Sequence, residues 1–344
     1  MPALSTALHA TIDAAALPVA HGTYAAKTED ADVQWGSRKR RHLDDLVKLG
    51  FQVVHWNGHD PRPLVDAYGR IFAVLVGQPR CMSWDAEVWR AFYAIIDEST
   101  AATFPSDMRK HRRGLYAALN VGLSYGQGQH LPSRLHNPQY DPLLDRLLGN
   151  PAIAQMATFA SAAFALWAPR LYGYYRCHND ALHTHLPHLH RNFSGSVFSC
   201  AAFNFGPRVC TFRHRDVLNL PFGWCAIQAA GHFDVTKGGH LVLWDLKLAV
   251  EFPHGALIFV PSATITHSNV PVGPDETRIS FTQFTAGGLM RYVDNGFRTE
   301  EQLQEQDPEE FARLLLEMGL GLLSTIDELL ADPAELLIET SPSQ

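Results

Sequence analysis

His214-Arg215-Asp216, followed fifty-one residues later by His267 within Thr264-Ile265-Thr266-His267-Ser268-Asn269, decides how this chain is read. Side chains two apart on an extended strand share a face, so His214 and Asp216 can aim an imidazole and a carboxylate at one point while Arg215 faces away. Eleven residues beyond His267 stands Arg278, in Thr277-Arg278-Ile279-Ser280. Two histidines and one carboxylate on one face of a metal, with other positions open, form the ligand set of non-haem Fe(II) oxygenases. Arg278 and Ser280 suit a carboxylate, through a bidentate guanidinium and a hydroxyl on one strand face. Together they read as Fe(II) and 2-oxoglutarate. A His-x-Asp alone would equally be an ordinary hydrogen-bonded pair at a strand end; the ordered set carries the reading.

Working outward, residues 223–227 form a short strand of buried type, and Gly238-Gly239 turns into an alternating strand, His240 to Trp244. Residues 252–262 read as strand, tight turn, strand, and residues 279–284 close the series. Short strands punctuated by Gly and Pro predict a double-stranded β-helix, the jelly-roll or cupin-like architecture.

The 344 residues, 46% hydrophobic, supply ample material for a core, and no stretch approaches a membrane span. Residues 1–22 are Ala-rich, but Asp13 interrupts them and no Lys or Arg precedes, which argues against a signal peptide. Five cysteines, odd in number and never in CxxC, indicate reduced thiols in an intracellular protein. Residues 300–344 carry twelve acidic side chains against Arg313, a net −11, which leaves residues 1–299 at +4. A mildly basic body with an acidic tail permits DNA binding without requiring it.

Residues 1–34 are expected to be loosely ordered. Residues 35–170 form an α/β region packed on the barrel, residues 171–298 the β-helix core, and residues 299–344 acidic C-terminal helices. Within the second region, the run Trp35 to Arg41 precedes a helix stopped at Leu49-Gly50, and the basic run reads first as a solvated helix start. Residues 51–56 and 68–76 are strand-like, with a turn over 57–63, and residues 84–97, 143–148 and 152–168 are helical in pattern. Lys110, Arg112 and Arg113 form a second basic cluster, and the glycines at 122, 126 and 128 mark a turn. Cys177, His178, His183, His185, His188 and His190 fit no common zinc spacing, and with Pro187 they read as a His-rich loop and strand approach to the barrel. Asp307-Pro308-Glu309-Glu310 and Ser324 to Asp327 supply two helix starts, whose leucines dock on the barrel.

The stretches Phe203 to Arg208, His214 to Asn219, Gly223-Trp224-Cys225, Gly238 to Asp245, Ile265 to Val270 and Thr277 to Ser280 resemble the TET/JBP family, most closely its branch expanded in mushroom-forming fungi and associated with transposons. The matching core covers residues 193–298. The resemblance implies an Fe(II)/2-oxoglutarate dioxygenase, with O2 as cosubstrate, that oxidises methyl groups on DNA bases: 5-methylcytosine for TET proteins, thymine for JBP. Carried over by position, His214, Asp216 and His267 would hold iron, and Arg278 and Ser280 the distal carboxylate of 2-oxoglutarate, with His240 touching the same cosubstrate. Asn219 and Phe284 would bond and stack a flipped base, with Trp224 beside them. Ala286 replaces a histidine of the animal enzymes, and their Cys-rich zinc region is absent. Both departures open the choice of base, with N6-methyladenine as a second acceptable one. A nuclear monomer acting on methylated DNA follows. The alternatives are a 2-oxoglutarate oxygenase acting on RNA, protein or a small molecule, and a non-catalytic DNA-binding relic.

Overall fold

The computed structural model describes residues 7–17, 39–126, 128–307 and 320–330. The described strands are β1 (Leu8–His9), β2 (Gln52–Val54), β3 (Arg62–Val65), β4 (Ile71–Gly77), β5 (Ala118–Ser124), β6 (Ser133–Arg134), β7 (Cys200–Asn204), β8 (Cys225–Ala230), β9 (Leu241–Leu243), β10 (Leu248–Val250), β11 (Leu257–Val260), β12 (His267–Asn269) and β13 (Ile279–Phe284). The helices are α1 (Leu43–Lys48), α2 (Trp84–Ala101), α3 (Asp141–Leu148), α4 (Pro151–Trp167), α5 (Pro169–His185), α6 (Gly287–Asp294), α7 (Glu300–Gln306) and α8 (Ile326–Leu330). The class is mixed α+β. A nine-stranded sheet runs β1-β3-β4-β11-β8-β13-β7-β5-β6, and a four-stranded sheet runs β12-β9-β10-β2.

Both sheets take strands from either side of residue 170, so the N-terminal region is woven into the core. The continuous apolar run of β4, buried throughout, is what a strand covered on both faces requires. Leu241, Leu243 and Val250 of the small sheet meet Leu75, Ala229 and Phe259 of the large one in a single apolar cluster. On the outer face of the large sheet, Phe203 and Phe281 are covered by Val88, Phe92 and Ile95 of α2 and by Ile153 and Met156 of α4. Helix α4 starts where Asn150 accepts hydrogen bonds from the N–H groups of Ala152 and Ile153, with Pro151 at its first position.

Several expectations are corrected. Residues 7–17, placed within a loose N-terminus, dock: β1 pairs in parallel with β3, and Asp13 meets Arg70 at 2.5 Å. Residues 1–6 and 18–34, like 35–38 of the basic run, lie outside the described residues. The turn over 57–63 ends early, because β3 begins at Arg62. The glycine-marked segment is strand β5 in its first half. The His-rich stretch is mostly helix: α5 continues to His185, and its buried side carries Leu171, Tyr175, Asn179 and Leu182.

At the C-terminus Thr299 caps α7, and Thr325 rather than Ser324 caps α8. Glu328 N–H donates to Thr325 Oγ1 at 3.2 Å, and Thr325 N–H donates to the Glu328 carboxylate at 2.7 Å. Residues 308–319, with the Pro308 helix start and Leu314 to Leu316, lie outside the described residues. Helix α8 does dock, through Ile326 and Leu329 on the main apolar cluster.

Candidate metal centre and adjoining cleft

His267 opens β12, and His214 lies opposite it in an isolated antiparallel bridge rather than on a regular strand. The Asp216 N–H donates to Ser262 O at 2.8 Å, which fixes the carboxylate beside the bridge. His214 Nδ1 lies 2.7 Å from Phe212 O, and His267 Nδ1 lies 2.9 Å from Ile265 O. A carbonyl only accepts, so Nδ1 carries the proton on each ring and Nε2 keeps its lone pair. Those Nε2 atoms stand 3.6 and 3.9 Å from the two Asp216 carboxylate oxygens. The three ligand atoms lie within 4.8 Å of one another, the one grouping of three or more such residues among those described.

Burial, with His267 alongside, outweighs the opposing pull of Asp216 and brings His214 down to about 3, so its imidazole stays neutral, the form that binds metal. Burial would raise the Asp216 carboxyl, but the two imidazoles, Arg113 and Arg112 outweigh it and hold the group ionised. The donor set fits a divalent iron.

Arg278, immediately before β13, is 1% exposed. Its Nη1 donates to Val209 O at 3.2 Å, its Nε has no partner, and Phe252 and Phe233 lie within 6.0 Å of the guanidinium carbon. No carboxylate among the described residues pairs with it. Burial lowers Arg278 to about 10, which leaves it cationic at neutral pH. A buried cation without a counter-ion is costly, so the position calls for an anion. Ser280 shares its strand face and accepts a hydrogen bond from Asn204 Nδ2 at 3.0 Å, which leaves the serine proton to donate elsewhere.

His240 is completely buried, and neither ring nitrogen has a partner. It follows Gly239, where an added Cβ would meet the Phe233 ring at 2.7 Å and Arg278 Cδ at 3.4 Å. These orphaned groups beside a buried guanidinium fit a dicarboxylate such as 2-oxoglutarate.

A cleft of about 660 Å³ opens along Val217 to Asn219, the turn that follows Asp216, and both Asn219 and Phe284 line it. Asn219 sits on the turn after Asp216, with its N–H donating to Asp216 O at 2.8 Å and its Nδ2 to Ser262 Oγ at 3.0 Å. Ala286 lines the same cleft, and polar groups enter it instead from Ser124, Gln129, Arg291 and Glu300. Trp224 is elsewhere: it is 2% exposed and stacks on Phe164 and Phe259 at 5.4 and 5.3 Å. The expectation that it stands beside the base is corrected, since its ring fills the apolar core.

Two neighbours of the centre escaped the sequence reading. Arg113, taken as part of a basic cluster, is raised despite burial by facing Tyr116 and Asp216. It is brought there by a long-range backbone bond, Phe212 N–H to Arg113 O at 2.7 Å. Arg112 of the same cluster donates to Arg215 O at 3.0 Å. The His-rich segment makes no third-ligand cluster among the described residues. His178 Nε2 meets Asp294 at 2.5 Å, His183 Nδ1 meets Asn179 O at 2.7 Å, and His185 stacks on Phe297 at 4.0 Å.

No protein-family model and no curated protein matches the sequence. Among solved structures, NgTET1 in complex with 5mC DNA aligns at 15% identity over 70% of this chain and 84% of that one, with a TM-score of 0.45. A 2OG-Fe(II) oxygenase family oxidoreductase from Burkholderia pseudomallei aligns at 16% identity over 48% of this chain and 67% of that one, with a TM-score of 0.26.

Proposed function

We propose that the chain is an Fe(II)- and 2-oxoglutarate-dependent dioxygenase of the TET/JBP type, on a double-stranded β-helix, that oxidises methyl groups of DNA bases. 5-Methylcytosine is the first candidate and N6-methyladenine the second. One observation carries this reading: two imidazole lone pairs and a carboxylate converge within 4.8 Å, in a chain whose Arg278 is buried with no carboxylate partner among the described residues. Bound iron, 2-oxoglutarate and O2 together supply the oxidation: 2-oxoglutarate loses CO2 to become succinate, and the methyl group gains oxygen.

The chain's own residues set the stage for it. Phe212 O and Ile265 O orient the two imidazoles, and Asp216 supplies the negative ligand. Arg278 and Ser280 anchor a distal carboxylate, with His240 as a further donor at the same cosubstrate. A methyl group inside a duplex cannot reach a buried metal, so the base must leave the stack, and the cleft bearing Asn219 and Phe284 is the space it would enter. Activity on DNA places the protein in the nucleus, and it would act as a monomer.

A second reading draws on the cleft's charge. Arg291 there is already paired with Glu300 at 2.8 Å, an acid unhelpful to a polyanion, which among the alternatives of RNA, protein or a small molecule favours the latter two. Succinate release under Fe(II), O2 and 2-oxoglutarate separates the two. Stimulation by a 5-methylcytosine duplex over its unmethylated twin supports DNA, and equal rates with both contradict it.

A further inference from the structure

Tyr116 carries a buried hydroxyl to which nothing above gives a role. Across the large sheet, Ala118 of β5 pairs with Asn204 of β7, which pairs with Ser280 of β13. Residues directly opposite one another share a face, so Asn204 and Ser280 point the same way as Ala118. Tyr116 lies two residues before Ala118, and the pairing still holds at the position between, where Phe205 N–H donates to Ala117 O at 2.8 Å. Tyr116 lies in the bend just before this pairing, beside Gly114, where an added Cβ would stand 2.9 Å from Cys210 O, next to the Val209 O that Arg278 Nη1 reaches.

Its setting is a built one. Tyr116 is 5% exposed, and its hydroxyl has no hydrogen-bond partner among the described residues. The His111 ring meets its ring edge-on at 4.7 Å, while His111 Nε2 lies 2.9 Å from Tyr116 O. On the other side is Gly114, where a Cβ would stand 2.2 Å from Tyr116 Cε1, so only glycine lets the ring lie there. A phenol clamped this firmly, with an unsatisfied buried hydroxyl, lacks an acceptor, as Arg278 Nε does. Burial pushes its hydroxyl up to about 12, against the opposing charges of Arg113 and Arg278, so it stays a donor at working pH.

We infer that Tyr116 is a third anchor for the distal carboxylate of the 2-oxo acid, donating its hydroxyl hydrogen alongside Arg278 and Ser280. This rests on the 2-oxoglutarate reading proposed above. It differs from a packing role because the ring, not the hydroxyl, makes every packing contact described.

The test is anaerobic equilibrium binding to the Fe(II)-loaded full chain, with 2-oxoglutarate as one probe and pyruvate, a 2-oxo acid without the distal carboxylate, as the other. Tyr116→Phe keeps the ring against Gly114 and His111 and removes only the hydroxyl. The loss of a hydrogen bond to a charged group predicts 2-oxoglutarate affinity weaker by roughly ten- to hundred-fold, with pyruvate affinity unchanged. In an Arg278→Lys background the same substitution should cost less, because both groups serve one carboxylate. Wild-type affinity for 2-oxoglutarate in Tyr116→Phe overturns the inference, as does an equal loss in both backgrounds, and either result leaves the proposed function standing. Absence of saturable 2-oxoglutarate binding in the wild-type chain overturns the proposed function, and this assignment with it.

Discussion

His214 and His267 exchange both of their backbone hydrogen bonds, N–H of each to O of the other at 3.0 and 2.9 Å, and their ring centroids stand 4.3 Å apart. The two imidazoles are thus positioned by each other's main chain, and side-chain replacement leaves the bridge itself in place. His214→Ala with Asp216→Ala should accordingly give a folded protein, with the far-UV spectrum of the wild type, that has lost Fe(II) binding and turnover. Persisting iron-dependent succinate formation in that double variant would mean that other residues hold the metal.

Arg278 separates cosubstrate affinity from stability. Arg278→Lys keeps the charge but loses the planar fork, which should weaken 2-oxoglutarate binding by about 1.5–3 kcal/mol. Arg278→Met removes a buried cation that has no carboxylate partner among the described residues, so the ligand-free protein should become more stable by about 1–4 kcal/mol in urea unfolding. A destabilised Arg278→Met would mean that the guanidinium is compensated within the fold.

Asn219 tests the cleft. Its Nδ2 is committed to Ser262, so the amide is held rigidly at the turn beside Asp216, with its oxygen left to read a base. Asn219→Ala should cut oxidation of methylated DNA at least ten-fold on the scale of one lost charged or bidentate contact, while substrate-independent 2-oxoglutarate turnover continues. Duplex binding should change little, because phosphate contacts dominate affinity. Wild-type oxidation rates would reduce Asn219 to a turn residue.

Acid stability depends on a stack that includes none of the candidate metal ligands. The Trp89 indole lies between His232 and His254, at 4.0 and 3.9 Å, and Gly231 N–H donates to His254 Nδ1 at 3.0 Å. Burial, with His232 nearby, outweighs Asp85 and brings His254 down to about 4. The unfolded chain takes up this proton near pH 6.5, about the ordinary value, so the contribution is complete above that pH and is lost as pH falls toward 4. His254→Phe keeps a ring on Trp89 and removes the titration. Its stability should fall less steeply between pH 7 and 4.5 than that of the wild type, by on the order of 2 kcal/mol. Parallel pH profiles would show that His254 does not titrate in the transition.

The candidate metal triad was legible because residue identities and order suffice: His214, Asp216 and His267 come together, although His214 sits in an isolated bridge rather than on a regular strand, while Arg278 immediately precedes β13 and Ser280 lies in it. Arg113 and Tyr116 were not, since the pairing of residues 113 and 212 that delivers them joins segments about a hundred residues apart. Helix α5 was missed because Asn179 interrupts its apolar side, where it bonds the Tyr175 and Val197 carbonyls instead of packing. Trp224 sits in a motif next to the site, yet the strand's alternation turns its ring into the core.

The most direct measurement is nucleoside mass spectrometry of a 5-methylcytosine duplex after incubation with the Fe(II)-loaded protein, 2-oxoglutarate and O2, beside an N6-methyladenine duplex. The account predicts 5-hydroxymethylcytosine and its formyl and carboxyl successors in step with succinate, all abolished in His267→Ala. Succinate formation with every nucleoside left unchanged would contradict it.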